Sequence, residues 1–334
     1  MPLYRVAPDG SGAAPPSIAL AVDADRVETL DFEWFDPARA RTVPVRAYLP
    51  RPLVGPVPLV VFSHGMGGSR FGYTYLGRYL AAQGFASLHV QHAGSDRSVW
   101  TSGGWNVVAS LHAAASEENA LARAEDVTFV ITRSLAEPAL AGRLRAGAIA
   151  VAGHSYGANT ALLVGGATVD RRGRMLSRHD PRVRALVLIS APPIHGEENL
   201  ESVLAPVRVP SLHLTGTQDV IRIPGYFSDL GDRIAIFKAV GSSPKALIVF
   251  NGANHSIFTD RFGAAQPELT TAVRQATREA VVLFLRSVLL GEAVDALERW
   301  RGEVGARDGN RLIERFELAA PPTRQAAGGQ DGAS

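Results

Sequence analysis

The chain has 334 residues, of which 46% are apolar and 20% are charged, a composition that is ordinary for a globular enzyme with a sizeable core. The formal net charge is only +2 and no Lys/Arg block is present, which argues against a nucleic-acid partner. Cysteine is absent, which excludes disulfides, cysteine-ligated metal sites and a cysteine nucleophile.

The N-terminal segment, residues 1–25, is rich in Gly, Pro, Ala and Ser and predicts a flexible arm. It lacks the continuous apolar stretch that a signal peptide requires. We therefore expect a cytoplasmic protein if the chain is full length, and a secreted or periplasmic one if a signal peptide has been removed. The apolar run 281–285 is too short to span a bilayer, so no membrane span is expected.

The first half of the chain predicts a hairpin and then alternating elements. Apolar and polar residues alternate in 27–35 and 42–49, with turn residues between them, which predicts two antiparallel strands. The short apolar run 59–62 is typical of a buried parallel strand. After it we predict a helix over 75–83, a strand over 85–90, a long polar and aromatic loop over 91–115, and a helix over 117–135.

The second half continues this alternation. We predict a strand over the apolar run 148–152, a helix over 158–167, a charged turn at 170–174, strands over 183–190 and 211–216, an excursion over 220–243, a last strand over 245–250, and helices over 269–290 and 293–301.

This order of elements predicts an α/β fold. We expect a mostly parallel central sheet with an N-terminal antiparallel hairpin and helices on both faces. No linker divides the chain, so we expect a single domain over 26–318, in which 220–243 is a candidate lid or cap. The Pro-, Gly- and Gln-rich tail over 319–334 is predicted to be disordered.

The segment Gly153-His154-Ser155-Tyr156-Gly157 follows an apolar run and precedes a small-residue segment. It has the G-x-S-x-G pattern of a nucleophile elbow, a sharp turn between a strand and a helix that exposes a serine hydroxyl. A chance match is the alternative, since the chain contains 33 glycines. The strand–turn–helix setting favours Ser155 as a nucleophile.

Three residues at predicted strand ends have the chemistry of a catalytic triad. Ser155, Asp219 and His255 occur in the order nucleophile, acid, histidine. A serine hydroxyl needs an adjacent base to accept its proton, and we assign that role to His255. Asp219 would hold the imidazole in the required tautomer and stabilise its charged form. Glu197 and Glu198 are the alternative acids, because they also follow a strand.

Met66 and Tyr156 are the predicted backbone N–H donors of an oxyanion hole. Tyr156 directly follows the nucleophile, and Met66 lies in the glycine-rich turn after the strand 59–62. Two preorganised donors are needed because the carbonyl oxygen becomes negative as the serine attacks. His64, in the same turn, and His154, beside the nucleophile, are predicted to be structural.

Aromatic residues in the loops are candidates for substrate contacts. We predict Trp100, Tyr226 and Phe258 as substrate-binding residues, with Trp105 and Phe227 as further candidates. Buried aromatic anchors are the alternative for each of them.

His89 and His92 have a spacing that occurs in metal sites. They lie at a strand end, and neither a second histidine pair nor a cysteine accompanies them. We therefore predict no metal site and no cofactor.

Together these motifs resemble the α/β-hydrolase superfamily over residues 27–290. Within it the chain is most similar to the dienelactone hydrolase-like and platelet-activating-factor acetylhydrolase-like esterases. The superfamily resemblance rests on His64–Gly68, Gly153–Gly157, Asp219 and Asn254–His255. The narrower similarity rests on the D-x-x-R-x-R-x-x-P pattern at 36–44, the turn 63–69 with the segment 75–85, and the segment 91–95, which resembles a D-H-P-G-S turn.

The resemblance implies a serine esterase that acts on a small-molecule or polymeric ester. Dienelactone hydrolases proper use a cysteine nucleophile and cutinases usually carry a C-terminal disulfide, and this chain can have neither. Acyl transfer, amide cleavage and polyester hydrolysis with the same triad are alternatives, because fold does not decide among them. A catalytically silent binding protein is a further alternative, although no triad residue is missing. Nothing in the sequence indicates an oligomeric state.

Overall fold

A computed structural model describes residues 24–100, 106–171, 173–194, 196–197, 199–223, 225–260, 266–293 and 295–319. The predicted N-terminal arm and C-terminal tail lie outside these residues, apart from positions 24, 25 and 319. Trp105, one of the candidate aromatic residues, also lies outside them.

A nine-stranded sheet forms the centre of the described fold. The strands of the chain are β1 (Val27–Asp36), β2 (Arg41–Pro50), β3 (Val57–Ser63), β4 (Ala86–Val90), β5 (Leu144–His154), β6 (Thr168–Arg171), β7 (Arg174–Ser177), β8 (Val183–Ile189), β9 (Ser211–Gln218), β10 (Ile221–Ile223), β11 (Tyr226–Ser228), β12 (Lys245–Asn254) and β13 (Ile313–Ala319). In the sheet they stand in the order β1-β2-β4-β3-β5-β8-β9-β12-β13, while β6–β7 and β10–β11 form two separate hairpins.

The middle of the sheet is parallel and both of its edges are antiparallel. The strands β4, β3, β5, β8, β9 and β12 pair in parallel. The hairpin β1–β2 joins β4 in antiparallel fashion, and β13 pairs antiparallel with β12 at the other edge. This arrangement confirms the predicted fold class.

Helices cover both faces of the sheet. They are α1 (Thr74–Ala82), α2 (Asn106–Ala114), α3 (Glu117–Ala136), α4 (Tyr156–Gly165), α5 (Leu200–Leu204), α6 (Leu230–Ala239), α7 (Pro267–Leu290) and α8 (Ala296–Asp308). One hydrophobic core packs α3, α4, α5 and α6 against the sheet, and a second core packs α1, α7 and α8 against the opposite face. Along β5, Ile149 and Val151 face the first core and Ala150 and Ala152 face the second, as expected for side chains that alternate along a strand.

Several elements differ from the sequence-based prediction. The predicted loop 91–115 contains a short 3-10 turn, Arg97–Trp100, and the helix α2. The predicted charged turn at 170–174 belongs to the hairpin β6–β7. Its strands are short and mostly polar, so they lack the apolar periodicity on which the prediction depended. Ion pairs connect Arg171 to Glu117 and Glu197.

The strand 245–250 is not the last strand of the sheet, because β13 follows it in the chain. Three of the seven residues of β13 are charged, which is compatible with a half-buried edge strand but is a weak strand signal in a sequence. The excursion 220–243 consists of the hairpin β10–β11 and the helix α6. In α6, Ile236 is buried in the first core, so this helix is an integral part of the fold.

No helix in the described ranges combines the length and the apolar character that crossing a lipid bilayer requires.

Candidate active site

Ser155 occupies a sharp turn between β5 and α4. Its φ and ψ are 55° and −124°, a conformation that L-amino acids rarely adopt and that costs of order 1–3 kcal/mol. A Cβ atom on Gly153 would lie 2.1 Å from the carbonyl oxygen of Gly157, and one on Gly157 would lie 1.9 Å from that of Ser63. Both positions therefore require glycine, and the predicted strand–turn–helix setting of Ser155 is confirmed.

The three predicted triad residues lie at the carboxyl ends of β5, β9 and β12. His255 Nε2 is 2.9 Å from Ser155 Oγ, and His255 Nδ1 is 2.7 Å from Asp219 Oδ1. Because an ionised carboxylate only accepts hydrogen bonds, Nδ1 donates to Asp219 and Nε2 accepts from the serine hydroxyl. This is the geometry in which histidine can take the hydroxyl proton.

Asp219 is fully buried and held by several donors. Its Oδ2 accepts from Thr215 Oγ1 at 2.6 Å, and the Arg233 guanidinium lies 3.4 Å from both of its oxygens. Burial by itself raises the pKa of Asp219, but hydrogen bonding to His255, the charges of His255 and Arg233, and the Thr215 hydroxyl together lower it below the ordinary value. Asp219 is therefore an anion at neutral pH.

Arg233 is a residue that the sequence analysis missed. It lies in α6, where the sequence predicts a lid or cap, and it is 3% exposed. It donates to Ser228 Oγ as well as to Asp219. No pattern in the sequence associates it with Asp219, because the contact depends on how α6 packs beside β9.

His154 supports the backbone of His255 from beneath. Its Nε2 donates to the carbonyl oxygen of His255 at 3.0 Å, so Nδ1 must accept, and it does so from the Tyr73 hydroxyl at 2.9 Å. Burial, together with the charge of His255, lowers the pKa of His154 to about 3. His154 is therefore neutral and has the predicted structural position.

The two predicted oxyanion donors lie on segments that flank Ser155. The N–H of Tyr156 is the first of α4, where helix N–H groups lack intrahelical partners and the helix dipole favours negative charge. Met66 lies in the turn after β3, and a Cβ atom on the preceding Gly65 would approach Ser155 Cβ to 3.3 Å. The N–H groups of Gly67 and Gly68 are used within the protein, on the carbonyls of Ser95 and Gly65.

A second Ser-His-Asp chain lies beneath the turn after β3. Ser63 Oγ is 2.9 Å from His92 Nε2, and His92 Nδ1 is 3.0 Å from Asp126 Oδ2. All three residues have no solvent exposure, so a substrate cannot reach this serine. His64 is also buried: its Nε2 accepts from the N–H of His92, and its Nδ1 donates to the carbonyl of Gly65 at 2.7 Å. His64 thus has the predicted structural role.

Ser155 and His255 open onto a cavity of about 1080 Å³. Much of its wall is apolar and comes from α2, α3, α4, the hairpin β6–β7 and the segment after β8. These residues include Leu111, Leu121, Leu163, Val169, Leu176 and Ile194. Such a cavity is large enough for a drug-sized ligand.

Two of the three predicted substrate-binding residues line this cavity. Trp100 is 44% exposed and donates from Nε1 to the carbonyl of Gly67 at 3.0 Å, and Tyr226 donates from its hydroxyl to the carbonyl of Pro193 at 3.2 Å. Phe258 is fully buried and packs near His154, with ring centroids 6.2 Å apart. Its position argues against the predicted substrate contact.

The alternatives considered from sequence occupy other environments. Glu197 forms an ion pair with Arg171, and Glu198 lies outside the described residues. His89 interacts with the Gly72 carbonyl and Ser87, whereas His92 faces Asp126. Within the described ranges, no group of three His, Cys, Asp or Glu residues is arranged to hold a metal ion.

A mostly parallel sheet with a serine, an aspartate and a histidine at the carboxyl ends of its strands is the arrangement of the α/β-hydrolase fold. Residues 44–125 match the family described as platelet-activating factor acetylhydrolase, isoform II. This segment contains Met66, His92, Arg123 and Asp126 but ends before Ser155. The match supports a carboxylic-ester hydrolase.

Many solved structures resemble the chain. One is a ferulic acid esterase from Streptomyces cinnamoneus, with 23% sequence identity and a TM-score of 0.57, over 86% of this chain and 95% of that chain. At this identity the similarity shows the shared fold. No curated protein has significant sequence similarity to the chain.

Proposed function

We propose that the chain is a serine hydrolase that cleaves carboxylic esters, with Ser155 as nucleophile, His255 as base and Asp219 as the orienting acid. The observation that carries this proposal is the continuous hydrogen-bonded chain from Asp219 through His255 to Ser155, with distances of 2.7 and 2.9 Å. Ser155 and His255 line the large cavity, and Asp219 is buried behind His255.

The reaction has two halves. Ser155 Oγ attacks the ester carbonyl while its proton passes to His255 Nε2, and the imidazolium then gives that proton to the departing alcohol. Water next attacks the acyl-serine ester with His255 again as base, which releases the acid and restores the Ser155 hydroxyl. Asp219 stabilises the imidazolium in both halves, which its ionised state supports.

The backbone N–H groups of Tyr156 and Met66 are the proposed donors to the oxyanion of each tetrahedral intermediate. The position of Tyr156 as the first residue of α4 supports this role, because the first N–H of a helix points out of its N-terminus, where the helix dipole favours an anion. The turn that carries Met66 passes directly beside Ser155. Donors that are fixed before the reaction begins stabilise the developing charge without reorganisation.

The cavity supports an ester with a sizeable apolar group as substrate. Leu121, Leu163, Val169 and Leu176 contribute apolar surface that an acetyl group alone would leave largely unfilled. Each methylene that leaves water contributes about 0.8 kcal/mol to binding. A medium-length acyl chain or an aromatic acid therefore fits this wall better than acetate.

The test of the proposed function is the Ser155→Ala variant, assayed on p-nitrophenyl esters. We expect kcat to fall by about 10⁴-fold or more, because the covalent pathway is lost. A fluorophosphonate probe should modify the wild-type protein at Ser155, identified by peptide mass spectrometry, and should leave the variant unmodified.

The matched control is Ser202→Ala, which removes an exposed serine hydroxyl from α5, outside the residues that line the cavity. This variant should keep the wild-type rate and the probe adduct. Full activity in Ser155→Ala, or an adduct on the buried Ser63 instead, would contradict the proposal.

A further inference from the structure

Arg123 is a fully buried cation in the middle of α3 that the triad chemistry does not use. Its guanidinium donates to Thr160 Oγ1 at 2.9 Å, to Ser95 Oγ at 2.7 Å, to Ser63 Oγ at 3.0 Å and to the carbonyl oxygen of His64. It therefore connects α3 to β3, to the loop after β4 and to α4.

All the hydrogen-bond partners that the described residues give Arg123 are uncharged oxygens. The nearby carboxylate of Asp126 is instead bound by Arg39, Arg41 and His92. Burial lowers the pKa of Arg123 to about 10, so the side chain is still a cation at neutral pH. Burying a charge without a direct counter-ion is costly, so this position calls for a functional reason.

Arg123 contacts both segments that carry the proposed oxyanion donors. On one side it binds Ser63 and His64, at the start of the turn that leads to Met66. On the other side it lies over the Tyr156 ring, 4.5 Å from the ring centroid. A single rigid, planar group thus spans the two segments.

Thr160 adds a second contact to the helix that follows the nucleophile. It lies one turn into α4, and its hydroxyl both accepts from Arg123 Nε and donates to the carbonyl of Tyr156. Movement of α4 relative to the turn after β3 would therefore break contacts with Arg123 on one side or the other.

We propose that Arg123 is a positioning residue for the oxyanion hole. Its side chain fixes the distance between the N–H groups of Met66 and Tyr156 and places a positive charge close to them. This inference rests on the proposed function. The charge favours the tetrahedral oxyanion over the neutral ester, so Arg123 should affect kcat much more than KM.

The experiment compares Arg123→Met and Arg123→Lys with the wild type on a p-nitrophenyl ester. For Arg123→Met we expect kcat to fall about 10²-fold, similar to the loss of an oxyanion donor, with little change in KM. Arg123→Lys keeps the charge but loses the planar fork, so it should recover part of the lost rate.

A second measurement separates oxyanion stabilisation from a general loss of structure. A phenylboronic acid forms a tetrahedral anion on the nucleophilic serine, whereas a ketone analogue of the ester that does not react binds as the ground state does. In the Arg123 variants, boronate affinity should fall by the same factor as kcat/KM, and affinity for the ketone analogue should stay near that of the wild type.

The control for stability is Leu140→Ala, which removes a fully buried side chain from the hydrophobic core that packs α3 against the sheet. Measured well below its Tm, this variant should keep the wild-type kcat and boronate affinity. Wild-type kcat in folded Arg123→Met, or equal losses of kcat in Arg123→Met and Leu140→Ala, would overturn the proposal.

If Arg123→Met does not fold, the double variant Ser95→Ala/Thr160→Val takes its place, because it removes two hydroxyl partners of the guanidinium and keeps the charge. We expect a several-fold loss of kcat with a parallel loss of boronate affinity, and wild-type values would overturn the proposal.

The proposed function is tested separately, because it would be contradicted by an active Ser155→Ala variant. An inactive Ser155→Ala with a fully active Arg123→Met would reject only the role of Arg123.

Discussion

The residues around Asp219 determine its ionised state, and that state determines how it interacts with His255. Its position after an apolar strand, and its place between Ser155 and His255 in the chain, were sufficient to predict it from the sequence. Its ionised state depends also on Arg233 and Thr215. Sequence spacing cannot predict the Arg233 contact, because it requires knowing where α6 packs.

Replacing Asp219 by Asn should lower kcat by about 10³- to 10⁴-fold. The asparagine amide can present a donor to His255 Nδ1, which favours the tautomer that carries its proton on Nε2 and cannot accept the serine proton. We would measure kcat and KM on a p-nitrophenyl ester across pH.

The matched isosteric control is Asp229→Asn. Asp229 caps α6 through a hydrogen bond to the N–H of Gly231, and Asn caps helices equally well. Activity should therefore be preserved in this control. A kcat for Asp219→Asn within tenfold of the wild type would be inconsistent with Asp219 as the orienting acid.

At the scale of elements, the buried strands were predictable and the walls of the cavity were not. The strands β3, β8 and β12 are apolar runs with a strong signal in the sequence. The hairpin β6–β7 is short and mostly polar, and the strands of β10–β11 have only three residues each, so neither hairpin gives a periodic signal. Each makes contacts with segments distant in the chain. Both contribute to the cavity wall, which is why the sequence predicted the grouping of Ser155, Asp219 and His255 but not the shape of the cavity beside them.

Because helix α3 and the hairpin β6–β7 supply apolar wall, the length of the acyl chain should control the rate. We expect kcat/KM to be higher for p-nitrophenyl octanoate than for the acetate. Leu121→Trp would fill part of the cavity and should lower this octanoate-to-acetate ratio by about tenfold, as expected for the loss of one or two methylene contacts.

Leu121→Met, which conserves volume, should leave the octanoate-to-acetate ratio unchanged. A wild-type preference for acetate would refute the assignment of a large apolar substrate group. An unchanged ratio in Leu121→Trp would show that the acyl chain does not reach α3.

At the scale of the whole molecule, buried histidines make the fold sensitive to acid. Burial is the first cause in each case, and it lowers the pKa of His64 well below the ordinary value, that of His89 and His92 to about 4, and that of His154 and His213 to about 3. In the unfolded chain these groups take up protons near pH 6.5. Their contribution to stability is therefore complete above that pH and is lost as the pH falls from 6.5 towards 3.

His213 tests this effect away from the triad, because it lies in the middle of β9 and contacts Ser211. We expect His213→Asn to flatten the pH dependence of the free energy of unfolding between pH 6 and 4 by about 1.4 kcal/mol per pH unit, the effect of one proton. Urea titrations at several pH values would measure it. Above pH 7 the two curves should run parallel, and identical slopes in the acidic range would contradict the expectation.

The antiparallel strand β13 also has a consequence for behaviour at high concentration. It covers the edge of β12, whose segment Ala246–Phe250 is a run of buried apolar residues of the kind that forms intermolecular β-structure when exposed. β13, which forms the edge of the sheet in place of β12, carries Glu314, Arg315 and Glu317, and such charges discourage pairing with another chain. β13, which has only a weak strand signal in the sequence, thus protects β12 from self-association. β12 is the strand that leads to His255, the proposed base.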